Sequence, residues 1–277
     1  MDRKPDDPIV QTLSSVRIVL VEPAGDRNVG AIARVMKNMG LYRLVIVQPR
    51  CDCFGEEARI MAVHAEDVLT SAQVVDSLPD ALKGCQRAIA TTARDRDTGD
   101  VLEEPRSALP WLVQPLLSGE RPETALIFGP EDRGLSNAEL NYAQRFVRIP
   151  SSEVYPSLNL AQSVAVCAYE LRQSILNPTP FVAEVVSQPS ADLASLDELE
   201  GYFEQLESLL LRIEYLYPHT AASRMEKLRR LFKRAGLASQ EVAMLRGMLR
   251  QMAWALDGTA SPEIPREAIE RSTQSDR

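Results

Sequence analysis

Between residues 16 and 176, short apolar runs alternate with stretches whose apolar positions recur every three or four residues. The first run, VRIVLVE at 16–22, is rich in β-branched residues and ends in the turn-prone Pro23-Ala24-Gly25-Asp26, so it predicts a strand. Ala31, Ile32, Val35, Met36 and Met39 then fall at helical spacing, with Gly40 as a C-terminal stop. The LVIV run at 44–47 predicts the next buried strand, and 72–75, 88–91, 124–128 and 146–149 predict further ones. Helical patterns lie between them, notably 78–83 ahead of Gly84, and 107–117. This alternation predicts an α/β fold, a parallel sheet with helices on both faces. A long apolar helix at 158–176 closes the unit.

Residues 177–195 hold three prolines and no sustained period, and read as a linker. Three helical patterns follow at 196–216, 221–234 and 239–256, punctuated by Pro218 and Gly236. The expected organisation is a disordered tail at 1–14, a main domain at 15–176, the linker, a small helical extension at 196–257 and a frayed tail at 258–277.

Composition narrows the class. In 277 residues, 45% are hydrophobic and 25% charged, as in ordinary globular proteins. No apolar run reaches the ~20 residues of a membrane span, and the opening MDRKPDDPIVQ lacks the apolar core of a secretory signal, so a cytoplasmic location is expected. Cys51, Cys53, Cys85, Cys167, His64 and His219 do not make two ligand pairs at zinc spacing. No metal is expected, and Cys51 and Cys53 read as loop thiols. A net charge of −8 argues against general affinity for nucleic acid, so any such claim needs a local basic face.

Three segments carry candidate chemistry. EPAGDRNVGAIAR at 22–34 lies at a strand-to-helix junction, where helix amides favour anionic groups. It matches neither common glycine fingerprint of nucleotide binding. Asn28 suits a helix cap as well as a ligand, whereas Arg34, a turn and a half into the helix, can reach a phosphate or a hydroxyl. IFGPEDRGL at 127–135 places two glycines around a charged turn, in which Glu131 and Arg133 can also simply pair with each other. IPSSEVYPSLNLA at 149–161 puts Ser157 and Asn159 at a helix entry, as caps or ligand contacts.

In their order and spacing, N-x-G-x-x-x-R, F-G-x-E-x-x-G-L and I-P…S-L-N-L-A together resemble the SPOUT family of RNA methyltransferases. Thr91-Thr92-Ala93-Arg94-Asp95-Arg96 and MEKLRRLF are similar to its subgroup acting on the ribose of nucleotide 32 in the tRNA anticodon loop. The resemblance implies a deep trefoil knot in the C-terminal part of the domain, S-adenosylmethionine as methyl donor, a tRNA substrate and a homodimer whose active site straddles the interface. By matching position it implies a cofactor pocket of Thr91, Thr92, Ala93, Gly129, Ile149, Pro156, Ser157 and Leu158. It places Asn28, Arg34, Glu131 and Ser157 around the reacting centre. Arg34 would act on the hydroxyl as an electrostatic activator, or as a base helped by an adjacent phosphate; Ser157 would orient the sugar or Arg34, Glu131 would fix Arg34 across the site, and Asn28 would brace the loop. Arg94 and Arg96 match an RNA-contacting loop.

Arg224, Lys227, Arg229, Arg230, Lys233 and Arg234 crowd one short helix whose Met225, Leu228 and Phe232 are spaced for burial. That pattern fits a basic ridge on tRNA phosphates, or a solvated face on a helical hairpin. Methylation of another RNA site and an inactive RNA-binding relative are the alternative readings. A dehydrogenase is disfavoured by the missing glycine fingerprint.

Overall fold

The structure, a computed structural model, describes residues 8–93, 101–117, 122–177 and 193–257. A short helix α1 (Pro8–Leu13) leads into β1 (Val16–Val21), α2 (Asp26–Met39) and β2 (Arg43–Val47). Then come α3 (Glu56–Ala62), a 3₁₀ turn, α4 (Glu66–Thr70), β3 (Gln73–Val75), α5 (Leu78–Leu82) and β4 (Cys85–Thr91). The domain continues through β5 (Leu102–Glu103), α6 (Pro105–Ala108), α7 (Pro110–Leu117), β6 (Glu123–Phe128), α8 (Asn137–Leu140), β7 (Arg145–Val147) and α9 (Leu160–Leu176). Three helices follow: α10 (Leu196–Arg212), α11 (Pro218–Ala235) and α12 (Ser239–Leu256).

The seven strands pair in parallel in the order β3-β2-β1-β6-β4-β7-β5. Side chains alternate along β1: Val16, Ile18 and Leu20 join one apolar cluster, while Val19 and Val21 join the other, and all are buried. Such a sheet must be covered on both faces. One face receives Ile32 and Met36 of α2 and Val164 and Leu171 of α9. Helices α2 and α3 approach so closely that a Cβ on Gly30 would overlap the Ala58 carbonyl.

The second face is covered by α5 and by the C-terminal helices. Leu199, Tyr202 and Phe203 of α10 share a cluster with Ala88, Ala90, Ala125 and Ile127 of the central strands. The extension is therefore part of the main packing. Its first helix starts at a Ser195–Glu198 capping box, in which each side chain takes a backbone N–H of the other's residue.

Several expectations change. The tail expected over 1–14 contains α1, pinned by fully buried Leu13. The helix expected over 107–117 is split, because Pro110 has no N–H to donate to the preceding turn. The first helix of the extension stops at Arg212, four residues early, where Glu214 turns left-handed at φ 57°. Most of the linker and the tail from residue 258 lie outside the described residues. No helix among the described residues is long and apolar enough to cross a membrane.

Candidate functional site

Strands β4, β6 and β7 lie side by side, so the loops leaving Thr91, Phe128 and Val147 emerge at the same edge of the sheet. In parallel sheets this carboxyl edge is where ligand clefts form. Here the loops enclose a cleft of about 340 Å³, within the usual range for small-molecule sites. Thr91, Thr92, Ala93 and Gly129 line one part of it, and Ile149, Pro156, Ser157 and Leu158 another. All eight residues of the expected cofactor pocket are thus brought together.

The loops are set by specific bonds. The Thr91 hydroxyl donates to the Ile127 carbonyl at 3.1 Å, and the Thr92 N–H to the Val147 carbonyl at 2.9 Å. The loop after β6 folds back so tightly that a Cβ on Gly129 would collide with the backbone of Gly134 and Leu135. Gly134 itself takes φ 67°. Asp132 receives both terminal nitrogens of Arg50 at 3.0 Å each. Arg133 bonds Glu139 at 2.8 and 2.9 Å and reaches Glu22 at 3.2 Å. The alternative of a simple Glu131–Arg133 pair is not realised, and the two side chains take separate sets of partners. Burial alone would raise the Glu139 carboxyl, but Arg133 and the Ser136 N–H outweigh it and hold it at about 2.

Glu131 faces the other way. Its carboxylate accepts from the N–H groups of Ala24 and Gly25 at 3.0 and 3.2 Å and from the Asn28 amide at 2.8 Å. Burial would raise this carboxyl, yet these donors keep it below the ordinary carboxylate range. The Asn28 oxygen in turn accepts from the Asn159 amide at 2.9 Å. Asn159 caps α9, its oxygen accepting from Ala161 and Gln162 at 2.9 and 3.3 Å. One chain of hydrogen bonds thus ties together the three separated segments.

Asn28 braces the loop as expected, through Glu131. Within the one chain Glu131 does not touch Arg34, which is exposed, lies outside the cleft of its own chain and makes no ion pair or hydrogen bond among the described residues. Ser157 lines the cleft with an exposed side chain. The sequence marks Asn159 as a cap or a ligand contact, not as a link to Asn28, and it gives no sign of Arg50 and Glu22. The S-x-x-E spacing of Ser136 and Glu139 signals a helix start, but nothing local signals a clamp between residues 50 and 132. His64 sits on the surface away from the cleft. Cys51 and Cys53 place their sulfurs 3.7 Å apart, and burial pushes the Cys53 thiol up to about 12. No cluster of metal-ligating side chains occurs among the described residues. Arg94 and Arg96 lie outside the described residues.

The basic helix requires correction. Arg229 is held by Glu200 and lies over the Phe203 ring, while Arg230 is bound to Glu226. Lys233 has a partly exposed stem, but its Nζ is shut from solvent without a hydrogen-bond partner, 6.0 Å from the Tyr142 ring centroid. The reason is geometric: α11 must bury Met225 and Phe232, and Arg229 and Lys233 sit on the flank of that stripe. Only Arg224 and Lys227 are exposed without an ion pair among the described members of the set; the Arg234 side chain is not described.

Burial, reinforced by Arg229 and opposed by Glu200, pushes the Lys233 ammonium down to about 7. The folded value lies below the unfolded ~10.4, so the unfolded chain binds more protons between them. Stability should therefore rise as pH increases from about 7 toward ~10. Lys233→Met should raise the melting temperature at pH 7 and flatten that slope, as measured by calorimetry from pH 6 to 10. An unchanged slope would mean that the ammonium reaches water in the folded protein.

Comparison with known proteins follows the same division of the chain. A family profile described as the SpoU rRNA methylase family matches residues 15–169, and one described as the C-terminal domain of tRNA methyltransferase TrmJ matches 197–263. The tRNA (cytidine/uridine/adenosine-2′-O-)-methyltransferase TrmJ of Pseudomonas aeruginosa is 40% identical over 244 residues, 86% of this chain and 94% of the relative. The tRNA (cytidine/uridine-2′-O-)-methyltransferase TrmJ of Klebsiella pneumoniae is 39% identical over 237 residues, covering 86% and 96%. Among solved structures, TrmJ of Zymomonas mobilis superposes with a TM-score of 0.73 at 30% identity, covering 86% of this chain and 98% of that one. A probable methylase family protein of Haemophilus influenzae gives 0.55 at 32% identity, over 90% and 100%. With a matching catalytic-domain profile, a matching C-terminal profile and full-length relatives on both, the chain belongs to the SpoU methylase family, in its TrmJ branch.

Proposed function

We propose that this protein methylates a ribose 2′-hydroxyl of tRNA, at nucleotide 32 of the anticodon loop, using S-adenosylmethionine and acting as a cytoplasmic homodimer. The observation that carries the reading is the Asn159–Asn28–Glu131 chain of hydrogen bonds, which draws three distant segments to the rim of one cleft. The cleft suits the donor. Phe128, Leu135 and Leu160 offer apolar wall for an adenine ring, and Gly129 keeps the backbone of that wall closely folded. In this reading the segment before α9 also completes the deep trefoil knot.

S-adenosylmethionine supplies a methyl group already activated by its sulfonium. The residues have two tasks: to hold the ribose oxygen in line with that methyl, and to ease the departure of the hydroxyl proton. Ser157, exposed at the cleft wall, is placed to orient the sugar. Arg34 polarises the hydroxyl and steadies the neighbouring phosphate through the charge of its guanidinium. Arg34 does not line the cleft of its own chain, and in this reading it serves the cleft of a second copy.

The test uses an unmodified tRNA transcript, labelled donor and mass-spectrometric mapping of nuclease fragments. One methyl group per tRNA on the ribose of nucleotide 32 is expected. Label on a base or at another position would replace the substrate assignment, and no incorporation would leave a binding protein.

A further inference from the structure

The turn joining α10 to α11 exposes aromatic rings that the described chain leaves uncovered. Leu216 is anchored in the core at 1% exposure, while its neighbours Tyr215 and Tyr217 are 59% and 50% exposed. This is a built geometry. The N–H groups of Tyr215 and Leu216 both donate to the Leu210 carbonyl at 3.0 Å, and Pro218 fixes the first turn of α11. With Leu216 pointing in, the residues on either side point out.

Cations accompany the rings. The Tyr217 ring lies nearly parallel to His219, with centroids 5.9 Å apart and 22° between planes. The Arg224 guanidinium lies 5.8 Å from the Tyr215 centroid and donates to the Tyr215 carbonyl at 3.0 Å. Lys227 follows Arg224 by one turn on the same face. Neither makes an ion pair among the described residues, although the protein carries eight excess negative charges. Flat rings beside unneutralised cations suit a nucleic acid: aromatic faces take unpaired bases, and guanidinium and ammonium groups take phosphates. What favours RNA over a protein partner is the pair of exposed cations left without ion pairs among the described residues of an acidic chain.

We infer that Tyr215, Tyr217, His219, Arg224 and Lys227 form the platform by which the C-terminal helices grip tRNA, with unpaired bases stacked on the two tyrosines and phosphates held by the two cations. This rests on the tRNA reading above. It also moves RNA contact from the self-neutralised length of α11 to its beginning.

The experiment measures tRNA binding by the full-length protein carrying Tyr215→Ala and Tyr217→Ala together. Affinity should fall about ten- to a hundredfold, while the melting temperature and S-adenosylmethionine affinity stay at wild-type values, because both rings are exposed. Tyr215→Phe with Tyr217→Phe should bind tRNA normally, since the stacking faces remain. Lys227→Glu should weaken binding at low salt, and the deficit should shrink as salt rises. Undiminished affinity in the double alanine variant overturns the platform alone. Equal loss in the phenylalanine variant, or a change in molecular mass by sedimentation, would assign the rings to hydroxyl bonding or to contact between copies. Wild-type protein that binds no tRNA would sink both this inference and the reading beneath it.

Discussion

Replacing Gly129 by alanine should weaken S-adenosylmethionine binding by about a hundredfold, or roughly 2.7 kcal/mol. The added methyl would fall against Gly134 and Leu135 backbone, which cannot rotate aside as a side chain would. The loop from Gly129 to Leu135 must open to admit it, and that loop forms one wall of the cleft. Gly134→Ala is the control. Its φ of 67° is uncomfortable for alanine, at about 1–2 kcal/mol, but nothing lies within 4 Å of the new Cβ. Its affinity loss should therefore stay about tenfold or less. Isothermal titration calorimetry on both variants decides the matter, with far-ultraviolet circular dichroism to verify the fold. Equal affinities for wild type and Gly129→Ala would show that the donor does not use this wall.

The central strands were legible because their residues are apolar on both faces, which only a sheet covered on both sides explains. What covers the second face was not legible. The pattern of α10 marks a stripe for burial, with Leu199, Tyr202, Phe203 and Leu206 on it, but periodicity does not name the partner of a stripe. Short elements also escaped: β5 has two residues, too few for alternation to register, and α3 and α4 carry no periodic run long enough to stand out. The expectation of a trefoil knot came from family resemblance alone, since local pattern carries no information about which loop a later helix passes through.

The cleft was more legible than the charges around it. The residues that line the cleft came from matching position in the family resemblance; local pattern marked only the glycines and prolines as places where backbone can approach a ligand. Ion pairs are different. Arg229 and Arg230 look alike in sequence, yet one is matched by Glu200 on another helix and the other by Glu226 one turn away. Counting basic residues on α11 therefore overstated the charge available to RNA. The same holds at the site, where Glu131 was expected on Arg34 but binds two backbone N–H groups and Asn28, all within its own chain.

That last arrangement leaves Arg34 free to serve a second copy, and the consequence is measurable. Arg34→Ala should lower kcat about a hundred- to a thousandfold, with S-adenosylmethionine affinity nearly unchanged, because an exposed side chain without ion pairs supports neither the fold nor the cleft, and with tRNA affinity reduced only by the loss of one phosphate contact. Mixing reveals whose cleft it serves. Subunits carrying Arg34→Ala and subunits carrying Gly129→Ala should each be nearly inactive alone. After unfolding and refolding together in equal amounts, half of the dimers would be mixed. If Arg34 reaches across the interface, each mixed dimer pairs one intact arginine with one intact cleft, and activity should return to about a quarter of wild type. If Arg34 served its own cleft, every site in a mixed dimer would carry one defect and the mixture would stay inactive. Recovery therefore requires both the dimer and the shared site, and an inactive mixture of correctly refolded dimers would place the arginine back in its own chain.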